Sequence, residues 1–188
     1  MPDPNPAAIL VTGSRSLWHR VGAEAWVKGI LRELCARLPP HSILIHGGAE
    51  GPDLWAHDVF YAAKLGDIHV YKGTGHGYVA IPGRGVQRIR WSYDIPDPAP
   101  KWAFLYRNRY MVNEVLYPLR ELYDCEAYAF LDPDSTTGGT GATIRALNKN
   151  IFQFESTHGS CLPGNPSCLP SKEKQNDHSY RQQAHRPL

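Results

Sequence analysis

Four short stretches of this chain carry residue types suited to holding an anion. Gly13-Ser14-Arg15 follows the apolar run 7–12, and Gly47-Gly48-Ala49-Glu50-Gly51-Pro52-Asp53 follows the run 42–46. Arg107-Asn108 lies near the start of a helical stretch, and Ser135-Thr136-Thr137-Gly138-Gly139-Thr140 follows the apolar run 127–131. Three of the four run directly into the start of a helix. Glycine lets a backbone approach a phosphate closely, and the N–H groups at a helix start favour negative charge. Arg15 and Arg107 add planar guanidinium forks matched to phosphate or carboxylate, and Thr140 adds a hydroxyl. The implied chemistry is recognition of a phosphate-bearing ligand by Gly13, Ser14, Arg15, Gly47, Gly48, Gly51, Asp53, Arg107, Asn108, Gly138, Gly139 and Thr140. Each stretch alone reads as an ordinary tight turn, Asp53 as a dipole partner in a first helical turn, and Asn108 as a cap. Their coincidence on one edge of a sheet is what points to a ligand.

Common nucleotide signatures do not account for these loops. Gly13-Ser14-Arg15-Ser16-Leu17-Trp18 is not G-x-G-x-x-G, and no G-x-x-x-x-G-K-[ST] occurs. His57 and Asp58 lack ligand partners at metal-binding spacing, so His57 reads as structural or exposed and no metal or other cofactor is implied. Cys35, Cys125, Cys161 and Cys168 form no CxxC pair and read as reduced thiols.

The elements that must position the loops follow from apolar patterning. Residues 7–12, 42–46, 67–71, 127–131 and 151–155 read as buried strands. Residues 20–38, 52–65, 102–121 and 140–148 read as helices. Continuously apolar strands alternating with helices predict an α/β fold with a parallel sheet of about five strands and helices on both faces, a Rossmann-like three-layer sandwich. In such a sheet the ligand sits outside the carboxyl ends of the strands, where these loops fall. Residues 72–101 are rich in Gly and Pro and read as an inserted loop or lid, carrying Arg84, Arg88, Arg90, Trp91 and Tyr93.

The 188 residues suit one domain, assigned to residues 1–155. Residues 156–188 are polar, rich in Ser, Pro, Gln and His, and are expected to be a disordered tail. That tail holds four of the twenty basic and two of the eighteen acidic residues, so it accounts for the net charge of +2. The body is balanced, which argues against a nucleic-acid scaffold. No apolar run is long enough to span a membrane, and the start of the chain does not resemble a signal peptide, so a cytoplasmic location is expected. Self-association into a homo-oligomer is left open.

In this order the loops resemble the SLOG superfamily, and most closely its YspA/cpYpsA-related branch. The pieces that carry the resemblance are Val11-Thr12-Gly13-Ser14-Arg15, His46-Gly47-Gly48-Ala49-x-Gly51-x-Asp53, Arg107-Asn108-x-x-Met111 and Gly139-Thr140-x-x-Thr143-Ile144-Arg145-Ala146. The resemblance covers residues 7–155. It implies a Rossmann-like fold and a site that senses or processes a nucleotide or a nucleotide-derived ligand, often in phage or bacterial conflict settings. The related Lonely Guy phosphoribohydrolases carry a PGGxGTxxE motif whose Glu acts with an Arg to cleave an N-glycosidic bond. Here Thr143 stands in place of that Glu, while Arg107 matches the Arg. Threonine cannot act as the catalytic carboxylate. Asp132, Asp134, Glu50 or Asp53 would have to replace it. Binding or sensing of the ligand is therefore the leading expectation. N-glycosidic hydrolysis of a nucleoside monophosphate or NAD-like substrate is the alternative, with Arg107, Asp132 and Asp134 as its candidate catalytic residues. Single-stranded DNA binding, as in the DNA-processing branch, is a second alternative.

Overall fold

A computed structural model describes residues 5–132, 139–149 and 154–158. Seven strands form one sheet: β1 (Ala7–Gly13), β2 (Ile43–His46), β3 (Ile68–Tyr71), β4 (His76–Ile81), β5 (Gly85–Arg90), β6 (Asp124–Leu131) and β7 (Phe154–His158). Their order is β5-β4-β3-β2-β1-β6-β7. The five strands from β3 to β7 across β1 are mutually parallel, as the apolar runs required. β1 is buried along its length between β2 and β6, and Ile9 pairs with Leu44 on one side and Glu126 on the other.

Alternate residues of β1 face opposite cores, because successive side chains of a strand point to opposite faces. Ile9 and Val11 pack with Val27, Leu31 and Leu34 of α1 (Ala23–Arg37) and with Ala56, Val59 and Phe60 of α2 (Pro52–Ala63). Ala8 and Leu10 face a second core. It holds Met111, Val112 and Leu116, which continue α3 (Lys101–Tyr110) through a π-helical segment Met111–Leu116 into α4 (Tyr117–Leu119). Leu147 of α5 (Gly139–Lys149) joins the same side. Helices thus cover both faces, which is why the central strands are apolar throughout rather than alternating.

Two expectations need correction. The segment 72–101 is not one continuous loop. β4 pairs antiparallel with β3, and β5 pairs antiparallel with β4, so this segment lengthens the sheet to seven strands of mixed direction. Close approach of β4 to β3 depends on Gly77, where a Cβ would run into the Val70 carbonyl. Trp91 then anchors the hairpin. Its indole Nε1 donates to the carbonyls of Lys72 at 2.9 Å and His76 at 3.1 Å, and its ring packs on Tyr106 and Tyr110 of α3. The period-two pattern was hidden because β5 is an exposed edge strand built from Gly, Gln and Arg as much as from Val and Ile.

The last strand is also shifted. β7 spans Phe154–His158, so Ser156, Thr157 and His158 belong to the sheet and pair with Ala129, Phe130 and Leu131. The rest of the expected tail, 159–188, lies outside the described residues. A chain ending at Glu155 is therefore expected to unfold at a lower urea midpoint than one ending at His158. Equal midpoints in chemical denaturation would show that the β6–β7 pairing beyond Glu155 adds no stability.

Candidate functional site

The chain runs outward from β1 through β2 to β3, then returns to pair β6 on the other side of β1. Where the direction of winding reverses, α1 after β1 and α5 after β6 pack on opposite faces of the sheet and leave a crevice. A cavity of about 440 Å³ opens there. That is within the range of small-molecule pockets, roughly 300–1,000 Å³.

Of the residues expected from the sequence, Gly13, Ser14 and Arg15 line it from the β1 loop. Asp53 reaches it from the first turn of α2, Arg107 and Asn108 from α3, and Gly139 and Thr140 from the start of α5. Gly47, Gly48 and Gly51 do not line the cavity; they form the turn behind it. Gly138 lies outside the described residues. The sequence reading missed Thr12, Ser16, Ala49, Lys101, Phe104 and Leu105. Lys101, Phe104 and Arg107 were legible as one helical face, because residues three and four apart stack on the same side.

Arg107 is a wall of the site rather than a residue of its rim. Its side chain is almost wholly buried, and Nη1 donates to the carbonyl of Gly47 at 2.6 Å and to that of Tyr71 at 3.4 Å. Nε donates to Asn108 Oδ1 at 2.9 Å, and Asn108 Nδ2 passes the chain on to the Gly139 carbonyl at 2.7 Å. One Arg-Asn pair therefore ties the end of β3, the turn after β2 and the start of α5 together. Gly47 must be glycine here, since a Cβ would collide with the Arg107 guanidinium. Nη2 has no hydrogen-bond partner among the described residues. The Phe104 ring sits between two guanidiniums, with Arg15 Cζ 5.4 Å and Arg107 Cζ 5.9 Å from its centroid.

Asp53 holds the other side of the same turn. Its Oδ2 accepts from the N–H of Gly47 at 3.0 Å and of Ala49 at 3.3 Å. Burial pushes its carboxyl up to about 6, against the opposing pull of Arg107, the two loop N–H groups and Arg15. Burial likewise lowers the Arg107 guanidinium from its usual value, partly offset by Asp53. Arg15, Lys101 and Arg107 face Asp53 as the single acid of the lining, so the cavity is electropositive. Ser16 adds a buried hydroxyl with no partner among the described residues.

A histidine pair supports the turn from behind. The N–H of Gly48 donates to His46 Nδ1 at 3.0 Å, which fixes the proton of the neutral ring on Nε2, 3.1 Å from His57 Nδ1. His57 is thus structural, as its sequence context suggested. Burial first, then His57 and Arg107, hold His46 well below its ordinary value.

Of the four proposed replacement carboxylates, Asp53 lines the cavity and the other three are placed differently. Asp132 is buried and its Oδ1 is ion-paired with Arg20 at 2.6 Å, while its N–H donates to Ser14 Oγ at 3.2 Å. It does not line the cavity. Asp134 lies outside the described residues, and Glu50 is exposed in the turn. Thr143 is fully buried and its Oγ1 donates back to the Gly139 carbonyl at 3.2 Å. Among the described residues no cluster of His, Cys, Asp or Glu could hold a metal ion, and no helix is long and apolar enough to cross a membrane.

No protein-family model and no curated protein sequence matches this chain.

The turn has a pH signature. His46 must stay neutral to accept the Gly48 N–H, and its folded-state value is depressed. Its contribution to stability is present above the unfolded value of about 6.5 and is lost as pH falls below it. Asp53, with its raised value, acts oppositely and penalises the folded state as pH rises from about 4 to about 6. The substitution His46→Asn keeps an acceptor for Gly48 and removes the titration. Its melting temperature is expected to fall less between pH 7 and pH 5 than that of the wild type, measured by calorimetry. Parallel curves would show that protonation of His46 does not govern acid stability.

Proposed function

We propose that this chain is a Rossmann-like protein of the SLOG type that binds a nucleotide or nucleotide-derived phosphate ligand at the carboxyl edge of its sheet. The observation that carries this reading is the convergence of Arg15, Lys101 and Arg107 with the start of α5 on one cavity at the switch point. Guanidinium forks and oriented N–H groups are the usual means of holding a phosphate. The Ser16 hydroxyl and Arg107 Nη2, which have no hydrogen-bond partner among the described residues, are donors that a ligand would satisfy. Phe104 and Leu105 offer an apolar wall against which a base or sugar can rest. Binding is preferred to N-glycosidic hydrolysis because Thr143 is tied into its own helix, Asp132 is held by Arg20, and Asp53, which lines the cavity, is engaged in holding the Gly47–Ala49 turn. Binding of single-stranded DNA is less well supported, since the cationic groups lie in a pocket rather than along a track.

The test is calorimetric titration of the full chain with nucleoside monophosphates, ADP-ribose and pyrophosphate, with product analysis of each mixture. Arg15 is the informative position, because it is exposed and its one described contact is the Phe104 ring. Arg15→Ala is expected to weaken binding by about 1–3 kcal/mol, the scale of a lost charge-assisted hydrogen bond, with little change in melting temperature. Arg107→Ala is expected to lower stability as well, because it strands the carbonyls of Gly47 and Tyr71. Failure of every phosphate compound to bind would overturn the reading. Release of free base would replace it with the hydrolase alternative.

A further inference from the structure

We propose that Asp53 selects the ligand by its sugar: the outward oxygen of its carboxylate accepts a hydrogen bond from a ribose hydroxyl. The cavity would then distinguish a ribosyl phosphate from phosphate as such. The inference rests on the anion-binding reading of the same cavity and adds a second contact to it.

The carboxylate has two oxygens with different duties. Oδ2 takes both loop N–H groups, from Gly47 and Ala49, and so accounts for the structural role of the side chain. Oδ1 has no hydrogen bond to any described residue, although Asp53 lines the cavity. No ion pair joins Asp53 to Arg15 or Arg107 among the described residues, so neither guanidinium occupies that oxygen. Holding the turn needs only a neutral acceptor, and an asparagine would supply one without placing a negative charge in a site for anions. An ionised carboxylate can only accept, so the unused oxygen calls for a donor on the ligand.

The donor is placed by the same charges. Arg15 and Arg107 are the cations that act on Asp53 electrostatically, and both line the cavity together with Lys101. A phosphate held by them lies beside Asp53. In a nucleotide the group next to the phosphate is the ribose, whose hydroxyls are donors, while the base lies further away.

The substitution Asp53→Asn separates the two duties. Its side-chain oxygen can take over the bonds from Gly47 and Ala49, and its amide then presents a donor to the cavity in place of an acceptor. Wild type and variant would be titrated at pH 7 with the four ribonucleoside 5′-monophosphates, their 2′,3′-dideoxy counterparts and pyrophosphate. The wild type is expected to bind the best ribonucleotide about ten- to a hundredfold more tightly than its dideoxy form, the range for one charge-assisted hydrogen bond. The variant is expected to lose most of that discrimination, because its amide can meet a hydroxyl only through a neutral hydrogen bond, while binding pyrophosphate as well as the wild type or better. Equal wild-type affinity for the two forms overturns the proposal and leaves the phosphate site standing. So does discrimination that survives undiminished in Asp53→Asn, which would assign the ribose hydroxyl to another acceptor. Loss of pyrophosphate binding in the variant would reduce Asp53 to a loop support. If pyrophosphate and every nucleotide fail to bind the wild type, the phosphate site itself is wrong and this inference falls with it.

Discussion

A guanidinium removed from water must be surrounded by acceptors, and the burial of Arg107 organises everything near the cavity. The desolvation of such a charge is costly unless its donors are met. Here Nη1 and Nε are met by the carbonyls of Gly47 and Tyr71 and by Asn108 Oδ1. Those partners belong to the turn after β2, the end of β3 and α3 itself. Asn108 then extends the network to Gly139 at the start of α5. Breaking any link leaves a buried polar group without a partner, so the loops hold their positions together rather than singly.

The Gly47 peptide is gripped from both ends, its carbonyl by Arg107 and its N–H by Asp53. Two opposite charges thus act on one turn without forming an ion pair with each other. Their burial moves both in the direction of neutrality, while each restrains the other's shift. Behind them the neutral His46 accepts the next N–H along, that of Gly48. Three successive polar groups of the backbone therefore receive side-chain partners, which leaves the turn pre-organised before any ligand arrives. Pre-organisation matters because it lowers the ordering cost of binding.

The β4–β5 hairpin serves this arrangement at a distance. It widens the sheet beside β3 and carries Trp91, whose indole N–H locks the hairpin to Lys72 and His76 while the ring supports α3 at Tyr106 and Tyr110. Those contacts fix the helix that supplies Lys101, Phe104 and Arg107. None of Arg84, Arg88, Arg90 and Tyr93 lines the cavity, and the hairpin meets the site through the helix it supports.

Local chemistry alone determined the parallel strands and their helices, because buried strands such as Ala7–Gly13 are apolar at every position and helices such as Ala23–Arg37 repeat their apolar residues at helical spacing. It also determined that Gly13, Arg15, Asp53 and Thr140 would meet, since loops at the carboxyl ends of parallel strands share one edge of the sheet, whereas Arg107 reaches them from within α3. It could not separate ligand-facing from wall-forming roles. Gly47 and Arg107 look alike as phosphate binders in a sequence, yet one packs directly against the other. Asp132 looked available until the fold brought Arg20 to it across more than a hundred residues of chain. The hairpin escaped notice because such strands are defined by their pairing, and the pairing of Gly77 with β3 or of Arg88 with β4 is invisible in either residue taken alone. Which donor meets which acceptor depends on contacts between distant segments, and only the tertiary structure decides those.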